Sequence, residues 1–392
     1  MMKKEIRKNV YWVGAVDWDR RLFDSLIPLP DGTSYNAYLV QGAEKTALIE
    51  AVDLAKMSEL EARLSGVERI DYLIANHAEQ DHSGGIPSIL ARHPEARVLC
   101  TPLAKGLLIG HLRIPEDRIR TVADGEKVSL GGKTLRFIHA PWVHWPETMA
   151  TYLEEDRILF SCDWFGSHLA ASDLFVRDER IVYVPAKRYF AEIMLPFRKI
   201  IQKNMEKIRD LEIDCIAPSH GPLYPRPAFI IEAYREWISD TPKNVVVLPY
   251  VSMHGSTALM VDCLAGALEA KGVVVEPFNL SATDVGRLAM SLVDAATIVI
   301  GCPAVHVGPH PVALNAVILA NALRPKTLFA SVIGSFGWAN KIVETITGLI
   351  PNLKVELLSP VLAKGLPGPA ELEAVDRLAD AIAEKHAAAG LR

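Results

Sequence analysis

The stretch Asn76-His77-Ala78-Glu79-Gln80-Asp81-His82-Ser83-Gly84-Gly85 constrains this chain more than any other. Four side chains able to ligate a metal, His77, Glu79, Asp81 and His82, fall within it. They follow the apolar run Tyr72-Leu73-Ile74-Ala75 and precede Ser-Gly-Gly. That pattern reads as a buried strand ending in a loop that turns sharply. A strand end is a rigid mount from which side chains can be aimed at one point.

The same arrangement recurs downstream. His144 lies just past a strand-like run that ends near His139. Asp163 closes the apolar run Arg157-Ile-Leu-Phe-Ser-Cys-Asp163, and His220 closes Cys215-Ile-Ala-Pro-Ser-His220 ahead of Gly221-Pro222. An ionised carboxylate at the tip of a buried strand is unfavourable unless it is paired or binds a metal. The candidate ligands are therefore His77, Glu79, Asp81, His82, His144, Asp163 and His220, with no thiolate among them. They are too many for one tetrahedral zinc and suit two metals that share a carboxylate. Zinc hydrolase sites of this layout favour nitrogen, with histidine where Glu79 stands. A carboxylate there makes the site harder and more negative, which favours iron or manganese. Glu79-x-x-His82 also has the spacing of helical di-iron bundles, but the flanking strand and glycines argue for a loop. His139 ranks behind His144 as a ligand. His93, His111, His168 and His386 have no ligand partners at useful spacing and are expected at the surface.

A chain of 392 residues exceeds one ordinary core and suggests two or three domains. Its net charge of −5 leaves no footprint for nucleic acid or an anionic membrane. The longest apolar runs, such as residues 296–302, are too short to span a bilayer. The N-terminal run from Val10 to Val16 is ended by Asp17-Trp18-Asp19-Arg20-Arg21, so no export signal is read. The five cysteines, Cys100, Cys162, Cys215, Cys263 and Cys302, are scattered beside apolar segments. They read as small buried hydrophobes in a reducing cytoplasm.

Residues 1–242 read as short strands with intervening helices. Strands are expected near residues 35–39, 47–50, 72–75, 98–101, 135–139, 149–153, 158–162 and 215–218, with helices over 57–64, 86–92 and 191–211. This is the pattern of a layered α/β sandwich. The polar segment 232–243 contains Ser239-Asp240-Thr241-Pro242 and marks the boundary. In residues 243–392 apolar strands alternate strictly with helices: strands near 244–250, 273–280, 296–302, 327–334 and 355–360, and a last helix from Pro369. That alternation predicts a doubly wound parallel sheet.

Three strand-to-helix connections in this second part look like a ligand site. Ser252-Met253-His254-Gly255-Ser256-Thr257 places hydroxyls around a glycine at a helix start, which suits a monophosphate held by hydroxyls and backbone amides. A plain helix cap is the alternative. Pro303-Ala304-Val305-His306-Val307-Gly308 and Ser335-Phe336-Gly337-Trp338 follow the third and fourth strands and bring groups to flank a planar ring.

Together these motifs resemble those of the flavodiiron proteins, or A-type flavoproteins. The His-x-Glu-x-Asp-His run, His144 before Trp-Pro-Glu, Asp163 and Ser-His220-Gly-Pro match that family's metallo-β-lactamase-like domain. Ser252-Met-x-Gly-x-Thr257 and Gly-Ser335-Phe-Gly-Trp338 match its flavodoxin-like domain. Residues 13–18 and 32–39 fit as well, so the resemblance runs in order through nearly the whole chain, in the minimal two-domain form. It implies a metallo-β-lactamase-like αββα sandwich followed by a flavodoxin-like doubly wound parallel sheet. It further implies FMN, a non-haem di-iron centre, and reduction of dioxygen to water or of nitric oxide to nitrous oxide. By position, His77, Glu79 and His144 would hold one iron, Asp81, His82 and His220 the other, and Asp163 would bridge. Tyr189 would line the pocket. A small carrier such as rubredoxin would supply electrons to a head-to-tail homodimer or a dimer of such dimers. One departure stands out: where members often carry His-Gly-Tyr after the residue matching Phe23, this chain has Asp24-Ser25-Leu26. The rival readings are a zinc hydrolase with a regulatory flavodoxin domain and a non-enzymatic electron carrier.

Overall fold

A computed structural model describes residues 2–391, which form two compact units divided between Ile238 and Ser239. In the first unit, strand side chains alternate between two cores. Along Tyr38–Gln41, Leu39 belongs to one buried cluster while Tyr38 and Val40 belong to another. Leu48 against Ala47 and Ile49, Leu73 against Ile74, and Val98 against Leu99 repeat the division on the next strands. This period of two means that both faces of the sheet are covered. One cluster takes in Met57, Leu60, Ile89 and Leu108 from the helices Met57–Arg63, Ile86–Arg92 and Pro102–Leu112. The other joins the sheet to a second one through Leu135, Phe137, Met149, Phe160 and Ala217. Each fully buried Leu or Phe contributes about 1.5–3 kcal/mol.

The first sheet has seven strands, in the order Lys4–Arg7, Val10–Trp12, Tyr38–Gln41, Thr46–Ile49, Tyr72–Ile74, Arg97–Cys100 and Ile119–Thr121. The second has five: Lys127–Ser129, Thr134–His139, Met149–Leu153, Ile158–Cys162 and Cys215–Pro218. The helices Glu179–Tyr189, Arg198–Ile208 and Ala228–Ile238 complete the αββα sandwich. Asn204 donates to the Pro141 carbonyl at 2.9 Å, and the Phe165 amide donates to Tyr234 Oη at 3.1 Å.

The second unit is a parallel sheet in the order Val274–Asn279, Lys243–Tyr250, Ala295–Val305, Phe329–Phe336 and Glu356–Leu357. Its first strand in sequence is second in space, which is the flavodoxin-like winding. The helices Ser256–Glu269, Val285–Leu292, Pro311–Leu323, Ile342–Gly348 and Pro369–Ala388 follow the strands.

Several elements depart from the sequence reading. The single strand expected over 355–360 is two pieces, Glu356–Leu357 and Val361–Lys364, which both pair with Phe329–Phe336. Pro360 lies in the break and has no N–H to give the ladder. The polar segment read as the boundary from Glu232 begins inside the helix Ala228–Ile238, where Tyr234 and Trp237 are fully buried. The helix expected over 191–211 is composite: a π-helical turn Phe190–Met194, a 3-10 turn Leu195–Phe197, then the α-helix Arg198–Ile208. The helix Pro102–Leu112, interrupted by Gly106 and Gly110, and the helix Glu179–Tyr189, with Pro185 inside it, have no expected counterparts.

Candidate metal centre

The centre is built at the ends of strands from both sheets of the first unit. After Tyr72–Ile74 comes the buried Asn76, whose Oδ1 accepts from Thr151 Oγ1 at 2.7 Å and whose amide donates to Glu50 Oε1 at 3.2 Å. His77 follows, and then a single helical turn, Gln80–Ser83, capped by Glu79. Ser83 Oγ donates to the Ala78 and Glu79 carbonyls, both at 2.8 Å, and pins the turn. The sharp glycine turn expected at Gly84-Gly85 does not form. Their φ angles of −56° and −77° are helical, and the next helix begins at Ile86. These glycines provide room: a Cβ on Gly85 would run into Met57 Sδ, and one on Gly84 into the Gln80 carbonyl.

Asp163 directly follows the strand Ile158–Cys162, and His220 lies two residues past Cys215–Pro218. Gly221 bends the chain immediately after His220 at φ +79°, where a Cβ would also clash with Ser167. Its amide donates to Ser34 Oγ at 2.8 Å.

All seven predicted ligands converge. The nearest ligand atoms of His77, Glu79, His144 and Asp163 lie within 4.8 Å of one another, as do those of Asp81, His82 and His220. Asp163 divides between the groups. Its Oδ2 lies 3.6 Å from His77 Nε2 and 3.5 Å from His144 Nε2. Its Oδ1 lies 3.2 Å from His82 Nε2 and 3.3 Å from His220 Nε2. Glu79 Oε2 sits 3.0 Å from His77 Nε2 and 3.2 Å from His144 Nε2. Asp81 reaches His82 Nε2 at 3.3 Å and His220 Nε2 at 3.2 Å. Every imidazole thus presents Nε2 to the carboxylates.

Protons stand in for cationic charge in this arrangement. Burial alone would push the His77 imidazole down, but hydrogen bonds to Glu147 and Glu79 carry it up to about 10. His220 rises to about 9 against burial, through Asp163 and Asp81. Burial also opposes His82 and His144, yet both are raised, His82 by the charges of Asp163 and Asp81 and His144 by the adjacent carboxylates of Asp163 and Glu79. Asp163 is held well below the ordinary range despite burial, by the surrounding imidazoles. Both Asp81 oxygens and Asp163 Oδ2 are buried without a hydrogen-bond partner among the described residues. Such atoms, facing converging imidazole Nε2 atoms, fit metal ligands once the imidazoles give up their protons.

A second layer holds the first. His77 Nδ1 lies 2.7 Å from Glu147 Oε1, and His220 Nδ1 lies 2.7 Å from the Ser34 carbonyl. Tyr189 Oη donates to Asp163 Oδ1 at 2.7 Å from the end of a helix that passes straight into the π-helical turn. Such turns frequently mark functional sites. Glu50, pushed up to about 7 by burial, stands with Cys162 behind His82.

His168 corrects the expectation that it is a surface residue. It is 3% exposed, its Nδ1 lies 2.9 Å from Thr33 Oγ1, and its ring centroid lies 4.8 Å from Tyr189 and 5.1 Å from His220. Burial, then the charge of His220, holds it well below the usual histidine range. His386 is likewise buried, between Thr297 Oγ1 and Asn244 Oδ1, both at 2.7 Å. His139 turns away to the Val122 carbonyl at 3.1 Å. Asp24 and Ser25, at φ +49° and +54°, form the tip of a hairpin between Leu22–Phe23 and Ile27–Pro28. Burial, then the charges of Glu79 and Asp81, raises the Asp24 carboxyl, so this substituted tip lies within electrostatic reach of the centre. Glu50 and Glu147 were missed as site residues, although Glu50 follows the strand Thr46–Ile49 in the same strand-tip pattern.

In the second unit, the three candidate segments gather at the carboxyl ends of the adjacent strands Lys243–Tyr250, Ala295–Val305 and Phe329–Phe336. Ser252 Oγ accepts from the Gly255 and Ala258 amides, both at 3.2 Å. Gly255, at φ +91°, has open space around its Cβ position. Thr257 Oγ1 and Ser335 Oγ are 3.2 Å apart. Residues 303–308, expected as a loop, instead belong largely to a hairpin pairing Ala304 with Pro309 and Val305 with Gly308, with His306 and Val307 at its tip. Trp338 is 79% exposed.

These features define a class: a metallo-β-lactamase-like sandwich with a paired ligand centre, joined in one chain to a flavodoxin-like sheet. Residues 33–221 match the model of the ODP family beta lactamase. The chain is 37% identical to a coenzyme F420H(2) oxidase of Methanothermobacter marburgensis, over 85% of this chain and 86% of that protein. It is 36% identical to a nitric oxide reductase of Moorella thermoacetica, over 93% of this chain and 92% of that protein. The solved rubredoxin oxygen:oxidoreductase of Desulfovibrio gigas superposes with a TM-score of 0.95 at 28% identity, covering 99% of both chains. Other matches carry the names type A flavoprotein and flavodiiron protein. The chain belongs to the flavodiiron, or type A flavoprotein, family.

Proposed function

We propose that this chain is an oxidoreductase that reduces dioxygen to water, nitric oxide to nitrous oxide, or both, at a non-haem di-iron centre supplied by FMN. The observation that carries the reading is Asp163, whose two oxygens divide between two chemically matched sets of ligand atoms. In this reading His77, Glu79 and His144 hold one iron, Asp81, His82 and His220 hold the other, and Asp163 bridges. The carboxylate-rich set suits iron, and Glu79 stands where a zinc hydrolase would favour another imidazole. When bound, the irons take up and reduce the gas while the flavin passes electrons on singly.

The chain's own contribution is placement and exclusion. Glu147 and Ser34 fix two imidazoles so that Nε2 faces inward. Tyr189 holds the shared carboxylate through its phenol proton. His77, His82 and His220 are shielded from bulk water, while the side chains of Glu79 and His144, 12% and 16% exposed, leave one side open to a small gas.

The FMN phosphate is assigned to Ser252, Met253, His254, Gly255, Ser256 and Thr257, where open space at Gly255 precedes a helix N-terminus. The ring is assigned to Pro303–Gly308 and Ser335–Trp338. Electrons come from a small carrier; the names of two relatives point to rubredoxin and to reduced coenzyme F420 as donors of those proteins. A head-to-tail homodimer, alone or as a dimer of dimers, and a cytoplasmic location complete the proposal. No described helix is long and apolar enough to cross a membrane.

The test is metal and flavin analysis of the purified protein, with oxygen uptake and anaerobic nitric oxide consumption after reduction. About two irons and one FMN per chain with gas consumption are expected. Zinc without flavin, and no gas uptake, would overturn the assignment.

A further inference from the structure

The two proposed iron positions are matched in their nearest ligands. Each is faced by two imidazole Nε2 atoms and one carboxylate of its own, and each is faced by one oxygen of Asp163. Beyond the greater exposure of Glu79 and His144, the two positions differ in what stands behind their ligands.

Behind His77 is a carboxylate. Glu147 Oε1 lies 2.7 Å from His77 Nδ1, and both side chains are 0% exposed. The same oxygen accepts from the Ala78 amide at 3.0 Å, and the Glu147 backbone carbonyl accepts from Thr101 Oγ1 at 2.8 Å. Glu147 is thus anchored at its side chain and its backbone. Its Oε2 has no hydrogen-bond partner among the described residues, so its charge is spent on one imidazole and one amide. Burial pushes the Glu147 carboxyl up, but the hydrogen bond from His77 and the charge of that ring bring it below the ordinary glutamate range.

Among the described residues, no carboxylate stands in the equivalent place behind the other rings. His220 Nδ1 meets a neutral acceptor, the Ser34 carbonyl, at 2.7 Å. His82 Nδ1 is 3.9 Å from Glu50 Oε2, beyond hydrogen-bonding distance. His144 makes its contacts with Glu79 and Asp163 through Nε2.

We propose, on the di-iron reading above, that Glu147 is a positioning residue that makes the two irons unequal. The iron at His77, Glu79 and His144 is held more tightly and keeps its ferric state more firmly than the iron at Asp81, His82 and His220. An imidazole that donates Nδ1–H to a carboxylate is a stronger base at Nε2, and a buried negative charge behind it favours the more positive metal ion. Loss of such a partner typically lowers metal affinity about 10–100-fold.

The test uses the full-length holoprotein, challenged anaerobically with a ferrous chelator. Wild type should lose its two irons in two phases whose rates differ by about 10–100-fold. Glu147→Gln keeps the shape of the side chain and removes the charge; its slow phase should accelerate by that factor and merge with the fast one, with flavin content unchanged. Glu50→Gln, the corresponding change on the other side, should leave the slow phase in place. A second readout needs no variant to fold: adding one reducing equivalent per oxidised di-iron centre in wild type should give a single localised electron paramagnetic resonance signal. Wild-type irons that leave in one phase would overturn the inference while leaving the di-iron reading intact. So would a folded, flavin-bearing Glu147→Gln protein with both phases unchanged, or equal acceleration by Glu147→Gln and Glu50→Gln. A wild-type protein that binds no iron would overturn both.

Discussion

Replacing Tyr189 with phenylalanine removes a single oxygen from the centre. Tyr189 Oη donates to Asp163 Oδ1 at 2.7 Å, and both residues are 1% exposed. Phenylalanine fills almost the same volume, so the variant opens little cavity and isolates the hydrogen bond. A buried hydrogen bond to a charged group contributes about 1.5–3 kcal/mol. A loss of about 2 kcal/mol from the first unit should lower its melting temperature by about 4–8 °C. If the same energy aligns the shared carboxylate in the reacting protein, turnover falls by up to about 30-fold. Burial, then the charge of Asp163, pushes the Tyr189 phenol well above its usual range, so it remains a donor at every working pH. The deficit should therefore be flat between about pH 6 and about pH 9. The assay is thermal unfolding of both proteins at matched iron content, with anaerobic nitric oxide consumption measured across that range. An unchanged melting temperature at matched iron, or a deficit that fades as pH rises, would refute the reasoning.

Glu79→Ala should lose most of its iron and its gas consumption while keeping its flavin; metal analysis that found full iron would sink the ligand assignment. Iron affinity should rise with pH, because metal must displace protons that His77 and His220 hold up to about 10 and about 9, and ferrous titrations at pH 7 and pH 9 would show it. In metal-free protein the sign reverses. The folded pKa of His77 lies above its ordinary 6.5, so its stabilising contribution is complete below about 6.5 and is lost as pH rises through about 10, which urea unfolding at several pH values reads directly. Gly221→Ala combines a φ of +79° with a clash against Ser167, and should destabilise the first unit by more than about 2 kcal/mol and displace His220. Gly255→Ala meets open space at φ +91°, so only about 1–2 kcal/mol of backbone strain is expected, read as weaker flavin retention with iron unchanged.

What could be read from the sequence follows from how far each cause reaches along the chain. The ligands His77, Asp163 and His220 are visible because a polar residue at the tip of an apolar strand is a local contradiction, and resolving it requires a hydrogen-bond partner, an opposite charge or a metal. Glu50 at the end of Thr46–Ile49 presents the same contradiction and is legible by the same rule. The misread glycines are different. Gly84 and Gly85 are small because Gln80 and Met57 press on them, and a pressing neighbour leaves the same letters as a turn. The histidines mark the actual boundary. His168 is settled by Thr33, 135 positions away, and His386 by Thr297 and Asn244, 89 and 142 positions away. Nothing adjacent to His168 announces burial, because the hydrogen bond that makes burial tolerable comes from a strand paired elsewhere in its unit, whereas His386 continues the apolar stripe Val375, Leu378 and Ile382 of its helix, and that spacing already points it inward. A buried polar side chain is thus legible when its compensation is local or a metal. It is illegible when the compensation is one distant hydroxyl or amide, and around this centre His168 is of that second kind.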